Sequence, residues 1–402
     1  MKRRAISHEQ EPPSRLLNIP EVNKTSIPTL CEWPHVWLQR LGKLFAPLTS
    51  AGRRDGEMAS VLVTGGSGFF GSLLVAKLLT DGHDVTSIDL LPATRSDPRL
   101  KAIVGDIRDR PGVRALLDAA KPEVVFHCAA QLAHGSLDPR ELWSSNVDGT
   151  AVLADAMADA GLRKIVYLSS NCLWGHGFDR PVSEDEPPAP VELYGQSKWE
   201  GEKILLGHPA GLTATIIRCP TIIDEGRLGL LAILFEFIAD GCRVWTVGPG
   251  DNHYQFIYAA DLIDAMLKSW HEPSGGIYGI GSDNVTTMRE TFAYVIANSG
   301  SRSKLGRLPK QLTLMAMRLA HLLRISPLGP YHYRMIASNF VFDTSRIKEA
   351  LGWQPSLTNR DMLLRAYRYY HSHRQEIATR ADVSAHRQSA KMGVIRVLKW
   401  LS

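Results

Sequence analysis

The sequence predicts an α/β fold, in which a doubly wound parallel sheet is combined with a smaller, discontinuous α/β domain. Two observations lead to this prediction. From residue 59 to about 218, short continuous apolar runs alternate with helical patterns, which is typical of parallel strands covered by helices on both faces. The first apolar run also leads directly into a glycine-rich turn, Thr64-Gly-Gly-Ser-Gly-Phe-Phe-Gly71, and then into a helical pattern. Ligands of such sheets bind beyond the carboxyl ends of the strands.

The individual elements follow from the same patterns. Strands are expected at 61–63, 85–88, 102–104, 124–127, 165–168 and 214–217, with helices at 72–79, 112–119, 142–160 and 194–206. Further helices are expected at 228–239, 288–297, 312–323 and 358–374. Segments 244–247 and 260–270 are predicted to return to the sheet domain. The expected division is therefore an extension at 1–57, a sheet domain at 58–218, a second domain at 219–375 and a basic amphipathic tail at 376–402.

Composition and charge are those of an ordinary globular protein. The 402 residues are 44% hydrophobic and 22% charged, without a run of ~18 uncharged apolar residues. The formal charge of +5 comes from the ends, since 1–57 and 376–402 each carry +3 and the middle carries −1. This argues against nucleic-acid binding and leaves membrane contact to the terminal segments. Five scattered cysteines without metal-site spacing, and no signal-peptide pattern, favour a reducing cytoplasm and no metal.

The glycine-rich turn suits a dinucleotide, because its backbone can approach a pyrophosphate and the following helix N-terminus attracts the anion. A tight turn that binds nothing is the alternative. Asp89 lies eighteen residues past Gly71, where an acid takes the ribose hydroxyls. A carboxylate there favours NAD over NADP, although Arg95 is close, and a plain turn residue remains the alternative. After the next strand, Asp106 is expected to bind the adenine amine, with Ile107 against the ring.

Two later strand ends complete the pattern. His127 precedes the small residues Ala129 and Ala130, and we interpret it as a satisfied histidine, not a catalytic one. Ser170 ends the fifth strand, and Tyr194 and Lys198 follow four residues apart on one helical face. A phenol titrates near ~10, so a neighbouring ammonium is needed to make it a base at neutral pH. Tyr194 is thus the candidate base, and Ser170 the candidate hydrogen-bond donor to the same substrate oxygen.

Together these residues resemble the extended short-chain dehydrogenase/reductase superfamily, also called the NAD-dependent epimerase/dehydratase family. The resemblance spans about 59–372, with further matches at 146–150, 255–261 and 342–355. It implies a Rossmann domain that binds NAD, a domain for a small-molecule substrate, and a homodimer formed through the Tyr/Lys helix. It makes Ser170, Tyr194 and Lys198 catalytic. The residues that it assigns to the cofactor are Gly65, Gly68, Phe69, Phe70, Gly71, Asp89, Asp106, Ile107, Ala129, Ala130, Tyr194, Lys198 and Pro220.

Some positions depart from the family pattern. Asn171 begins a pair that is Asp-Glu in the family's dehydratases, so a sugar-nucleotide dehydratase is not expected. Thr221 replaces an asparagine that contacts the sugar phosphate in many members. Tyr254 replaces their arginine for the diphosphate, and His253 or Arg243 are candidate substitutes for that arginine.

The sequence therefore favours NAD-dependent hydride transfer at a carbinol or ketone carbon, as in a nucleotide-sugar epimerase or a related oxidoreductase. Two alternatives remain. A 3β-hydroxysteroid dehydrogenase-like enzyme is one, because that branch also has a helix at the place of 308–323, which we expect to be a core helix of the small domain. A non-catalytic NAD-binding regulatory protein is the other, and the intact Ser170, Tyr194 and Lys198 argue against it.

Overall fold

The computed structural model describes residues 58–132, 138–227, 229, 231–323 and 329–379. The predicted extension at 1–57 and most of the basic tail lie outside the described residues. Within them the strands are β1 (Ser60–Thr64), β2 (Asp84–Asp89), β3 (Leu100–Val104), β4 (Val124–His127), β5 (Lys164–Ser170), β6 (Thr213–Cys219), β7 (Thr221–Ile223), β8 (Val244–Val247), β9 (Phe256–Tyr258), β10 (Gly276–Gly279) and β11 (Leu305–Leu308).

The α-helices of the same residues are α1 (Phe69–Thr80), α2 (Arg110–Ala120), α3 (Pro139–Trp143), α4 (Gly149–Asp159), α5 (Leu193–Leu206), α6 (Leu231–Ala239), α7 (Ala259–Trp270), α8 (Met288–Ala297), α9 (Lys310–Leu322), α10 (Pro330–Met335), α11 (Ser345–Leu351), α12 (Asn359–Ser372) and α13 (Arg374–Thr379). A π-helical turn (Ser144–Asp148) and a 3₁₀ turn (Asn171–Leu173) complete the list.

The main sheet has seven parallel strands in the order β3-β2-β1-β4-β5-β6-β10. Helices cover both of its faces, because alternate residues of a strand point to opposite sides. Val61 and Val63 of β1 pack with α1 and α7, whereas Leu62 packs with α2, α4 and α5. The predicted doubly wound parallel sheet is confirmed.

The predicted helix at 142–160 is interrupted in the structure. α3 ends at Trp143, and a π-helical turn separates it from α4. This turn contains Asn146, whose side chain accepts from the Gln131 N–H at 2.7 Å and donates to the Gln131 carbonyl at 3.0 Å. The interruption therefore pins the chain that leaves β4 to the helical layer beside it. Such π turns often lie at functional sites.

A second buried cluster lies among α6, α8 and α12, away from the main sheet. The prediction that 244–247 returns to the sheet domain is wrong, because β8 pairs with β11 in a separate two-stranded sheet and packs on α6 and α8. α7, at the end of the same predicted segment, does pack on the main sheet. The seventh strand, β10, was not predicted, because its four residues include two glycines.

The prediction that 312–323 forms a core helix is also wrong. α9 spans Lys310–Leu322, but none of its residues is buried. Periodicity placed the helix correctly but not its environment, because an apolar stripe looks the same in sequence whether it faces a core or faces outward.

Candidate active site

The carboxyl ends of six strands bring the predicted residues to one edge of the main sheet. Thr64, at the end of β1, lies opposite Ile88 of β2 and His127 of β4. At the other end of the edge, Ser170 of β5 lies opposite Cys219 of β6. The chain runs outward from β1 in one direction and from β4 in the other, so the edge contains the topological switch point at which such sheets bind ligands.

The glycine-rich turn is packed too closely for side chains. Gly65 has φ +75°, and a Cβ atom there would lie 2.7 Å from the Ala129 nitrogen. A Cβ atom on Gly71 would lie 2.0 Å from the Gly65 carbonyl oxygen. α1 begins directly after Gly68, which occupies its N-cap. The backbone of this turn is therefore open to close approach by a pyrophosphate, as in dinucleotide sites.

Phe69 and Phe70 do not present their rings to this edge. Both rings belong to the buried cluster beneath the sheet, with exposed fractions of 4% and 6%. Their predicted cofactor contacts can come only from the main chain at the first turn of α1. The rings instead fix the position of that turn.

The Asp89 carboxylate is directed at the glycine-rich turn. Its Oδ2 accepts from the Ser67 N–H at 2.9 Å, and its Oδ1 accepts from the Leu91 N–H at 3.0 Å. Each oxygen keeps a lone pair for a ribose hydroxyl. Arg95 is exposed. The carboxylate thus lies where the sequence predicts a ribose-binding acid.

Asp106 is engaged within its own loop. Arg108 Nε donates to both carboxylate oxygens, at 3.0 and 2.9 Å, and the Arg108 guanidinium lowers the pKa of Asp106. Ile107 is buried against Gly149, where an added Cβ would lie 2.8 Å from its Cδ1. An adenine amine would therefore meet an ionised carboxylate that is already paired with Arg108. The side chain of Ile107 packs against α4.

His127 is a satisfied buried histidine, as interpreted from the sequence. Thr150 donates to the Asn146 carbonyl at 2.6 Å, so it accepts from His127 Nε2–H at 2.9 Å. Nδ1 then accepts from the Thr64 hydroxyl at 2.7 Å. Burial lowers the pKa of His127 to about 3, so the ring is neutral. The role of this histidine is to join β1, β4 and α4.

The predicted catalytic side chains meet at the ends of β5 and α5. Ser170 Oγ accepts from the Cys172 N–H at 3.1 Å, and the Ser170 side chain lies near enough to the Tyr194 phenol to act on its pKa. Burial raises the pKa of Tyr194 well above its ordinary value, and the Ser170 hydrogen bond opposes this effect. The phenol therefore needs additional positive charge beside it to act as a base at neutral pH.

Lys198 lies one turn further along α5 and is buried, with its Nζ 3.9 Å from the centroid of the Tyr167 ring. Burial lowers the pKa of Lys198 to about 8, while Cys128, Cys219 and Glu202 favour the ammonium form. The amine therefore remains mostly charged at neutral pH, held over an aromatic face.

Two glycines hold α5 against β5. A Cβ atom on Gly195 would lie 2.1 Å from the Cys172 carbonyl oxygen, and one on Gly201 would lie 2.4 Å from the Tyr167 hydroxyl. The backbone of the helix that carries the candidate base is therefore in direct contact with Cys172 and Tyr167, with no room for side chains between them.

A buried ion pair adds a second attachment of α5. Arg218 Nη2 donates to Glu202 Oε2 at 2.7 Å, and both side chains are almost fully buried. Ser169 also donates to Glu202, and Arg218 Nη1 donates to the Glu184 carbonyl at 2.7 Å. The ion pair therefore joins α5 directly to β6. Of the other predicted cofactor residues, Pro220 after β6 is buried, and Ala129 and Ala130 after β4 are half-buried.

Arg227 is a candidate site residue that the sequence analysis missed. Its guanidinium carbon lies 5.7 Å from the centroid of Phe69, at the start of α1, and its charge lowers the pKa of Tyr194. It therefore bridges the glycine-rich turn and the candidate base with a cation. The available signal was its isolation, because it is the only Lys or Arg between Arg218 and Arg243.

Two of the departures from the family pattern contact each other. Asn171 Nδ2 donates to the Tyr254 hydroxyl at 2.9 Å, which is 3.1 Å from the hydroxyl of Tyr331 on α10. The two candidate substitutes for the missing arginine lie elsewhere. Arg243 lies over the Trp245 ring of β8, and the His253 backbone pairs with the strand-like segment at Asn339 and Phe340.

The residues present fit NAD. The packed glycines would exclude any side chain from the turn, Asp89 supplies free lone pairs beside it, and Arg227 supplies positive charge. Bound there, NAD would supply the hydride acceptor next to Ser170 and Tyr194.

Comparisons with known proteins agree. The model of the NAD dependent epimerase/dehydratase family matches residues 61–281. The uncharacterized protein y4nG of Sinorhizobium fredii is 34% identical over 85% of this chain and 86% of its own length. A UDP-glucose 4-epimerase of Mycolicibacterium smegmatis is 28% identical over 78% of this chain and 99% of its own. The crystal structure of the Thermotoga maritima UDP-glucose 4-epimerase with UDP-glucose superposes with a TM-score of 0.64 at 24% identity, covering 78% of this chain and 98% of that one.

These matches confirm the resemblance inferred from the glycine-rich turn and the Ser/Tyr/Lys set. The chain belongs to the NAD-dependent epimerase/dehydratase family, and it is an NAD-dependent enzyme of the extended short-chain dehydrogenase/reductase type.

Proposed function

We propose that this enzyme catalyses NAD-dependent hydride transfer at a carbinol carbon of a nucleotide sugar, with epimerisation as the net reaction. The observation that carries the proposal is the placement of Ser170 at the end of β5 and of Tyr194 at the start of α5, where Gly195 packs against the Cys172 carbonyl and Lys198 is buried. The UDP-glucose 4-epimerases among the relatives support the substrate class.

In this proposal, bound NAD supplies the hydride acceptor. Tyr194 Oη takes the proton of the substrate hydroxyl, and Ser170 Oγ donates a hydrogen bond to the same oxygen. Arg227 provides positive charge that lowers the pKa of Tyr194. We assign the same role to the buried ammonium of Lys198, one turn further along α5. Asp89 and the backbone of the glycine-rich turn bind the cofactor, and the Asp89 carboxylate makes the enzyme prefer NAD to NADP.

The central test is Tyr194→Phe, assayed with NAD and a panel of UDP-sugars by chromatographic separation of epimers. We expect turnover to fall by about a hundredfold to ten-thousandfold while NAD binding is kept, because only the proton acceptor is lost. Tyr294→Phe on α8 removes a distant phenol and serves as the matched control. Full turnover in the Tyr194→Phe variant would contradict the mechanism.

A 3β-hydroxysteroid dehydrogenase-like reaction is the second candidate, because Tyr254 contacts Asn171 at the place where many nucleotide-sugar enzymes have an arginine for the diphosphate. The two candidates differ in net chemistry. An epimerase forms an isomer without accumulating reduced nicotinamide, whereas a dehydrogenase produces reduced nicotinamide from a hydroxysteroid. Silence with both substrate panels, with NAD bound, would favour a regulatory role.

We further propose that 58–218 binds NAD and that 219–375 supplies most of the substrate contacts, in a cytoplasmic homodimer formed through α5. Light scattering of the full chain tests the dimer, since a monomer mass would contradict it.

A further inference from the structure

α9 presents a row of apolar side chains outward. The residues in this row are among the most exposed large apolar side chains of the described chain. At 3.6 residues per turn they fall on one side of the helix and its C-cap. We call them the outer stripe: Leu312 (65% exposed), Met315 (64%), Leu319 (57%), Leu322 (77%) and Leu323 (59%).

A different face of α9 attaches it to the fold. Lys310 Nζ donates to the Ala337 carbonyl at 3.0 Å, and the His321 ring lies 6.1 Å from that of Tyr333 on α10. Leu314 and Met317 are half-buried. The outer stripe therefore contributes nothing to holding the helix in place, and burying it requires something beyond the described residues.

The chain segment that contains α9 carries charge of one sign. Residues 301–342 contain seven Lys or Arg and neither Asp nor Glu. The six that the structure describes are exposed, and no ion pair found among the described residues includes them. They are Arg302, Lys304, Arg307, Lys310, Arg318 and Arg334.

We propose that α9 is a membrane-docking helix, which lies flat on an anionic phospholipid surface with the outer stripe among the acyl chains. An exposed leucine row flanked by basic residues is the pattern of interfacial helices, and the positive charge complements anionic headgroups. The helix of 13 residues is about 20 Å long, shorter than the hydrocarbon thickness. No helix of the described residues is long and apolar enough to cross a membrane.

A lipid surface fits these features better than another macromolecule does. The stripe occupies one side of a single helix, so it offers a folded partner a narrow row of contacts. Nucleic acid would gain nothing from the leucines, because its affinity comes from phosphate contacts. A bilayer accommodates a convex apolar row and positive flanks at the same time.

The test is co-sedimentation of the full chain with vesicles of phosphatidylcholine alone or of equal parts phosphatidylcholine and phosphatidylglycerol. We expect binding to the mixed vesicles that weakens with salt. Leu312→Ser/Leu319→Ser should lower the partition coefficient at least about tenfold, because two leucines no longer enter the acyl region. The control Met58→Ser/Val104→Ser removes two side chains of similar exposure (64% and 62%) elsewhere and should leave binding unchanged.

A second pair of variants tests the charge. Arg307→Gln/Arg318→Gln should lower binding to the mixed vesicles by about fivefold for each arginine, with little effect on neutral vesicles. Unchanged thermal unfolding transitions would show that the variants remain folded.

Three results would overturn the proposal. The first is no binding of the wild type to the mixed vesicles. The second is equal binding by the α9 and control variants, which would assign the contact to other segments. The third is a lower mass of the Leu312→Ser/Leu319→Ser variant in lipid-free light scattering without any change in vesicle binding, which would show that a second copy covers the stripe.

Discussion

Replacing Lys198 by methionine should make the protein inactive and, at neutral pH, more stable. The substitution keeps the length of the side chain but removes a charge that the fold buries between α5 and β5. Most core substitutions destabilise a protein, so the expected sign is unusual. It follows from the cost of holding an ammonium group away from water.

The size of the effect can be estimated from the surroundings of the amine. Burial lowers the pKa of Lys198 to about 8 from an ordinary 10.5, which corresponds to about 3 kcal/mol against the charged form. The Tyr167 ring, 3.9 Å from Nζ, favours the ammonium by about 1–2 kcal/mol. Desolvation is the larger effect, so the variant should gain about 1–2 kcal/mol in free energy of unfolding at pH 7.

The pH dependence gives a sharper test. Because the folded-state pKa is the lower one, the unfolded chain binds more protons between pH 8 and 10.5, and the stability of the wild type rises across that window. The advantage of the variant should therefore shrink as the pH rises from 8 to 10. Urea unfolding at several pH values measures it.

The matched control is Lys203→Met on the same helix, where the lysine is half exposed and lies over the Trp199 ring at 4.7 Å. It should change the free energy of unfolding by less than about 1 kcal/mol. If Lys198→Met is less stable than the wild type at pH 7, or if its advantage stays constant up to pH 10, burial does not penalise this ammonium as argued.

Three other predictions concern the attachments of the site. Glu202→Ala should lower the free energy of unfolding by about 3–5 kcal/mol, because it leaves the Arg218 guanidinium buried without its carboxylate. Glu200→Ala, at a more exposed position of α5, should lower it by less than about 1 kcal/mol, and equal losses in urea unfolding would refute this prediction. Gly71→Ala should weaken NAD binding and lower the free energy of unfolding by about 1–3 kcal/mol, since the new Cβ would lie 2.0 Å from the Gly65 carbonyl oxygen. A wild-type affinity for NAD in calorimetric titration would contradict this prediction. Asp89→Ala should weaken NAD binding and narrow the preference over NADP, and an unchanged ratio of the two affinities would exclude Asp89 from cofactor selection.

Local pattern was sufficient to predict much of the site. The glycine-rich turn, Asp89 and Ser170 each lie at a strand end, and parallel strands bring their carboxyl ends to one edge whatever the rest of the fold does. The four-residue spacing of Tyr194 and Lys198 likewise determines one helical face. These relations are short in sequence or follow from the sheet itself.

The unpredicted parts depend on distant neighbours. Arg227 approaches Tyr194 only because the chain after β7 folds back over α1, and the contact between Asn171 and Tyr254 joins residues 83 apart. The partner of β8 is decided by packing on α6 and α8, which strand propensity does not contain. For the same reason, the periodicity of α9 could not predict whether its apolar face is buried or exposed.

The close packing of Gly195 on α5 makes the position of the candidate base largely independent of the side chains that surround it. The position of Tyr194 is determined by main-chain contact, at Gly195 with the Cys172 carbonyl, and so depends little on the size of surrounding side chains. In contrast, the side chains of Asn171, Tyr254 and Tyr331, which we propose to face the substrate, come from separate segments of the chain. Substitutions there can redesign substrate choice one residue at a time without moving the base, so engineering of new substrates for this scaffold should begin with those three positions.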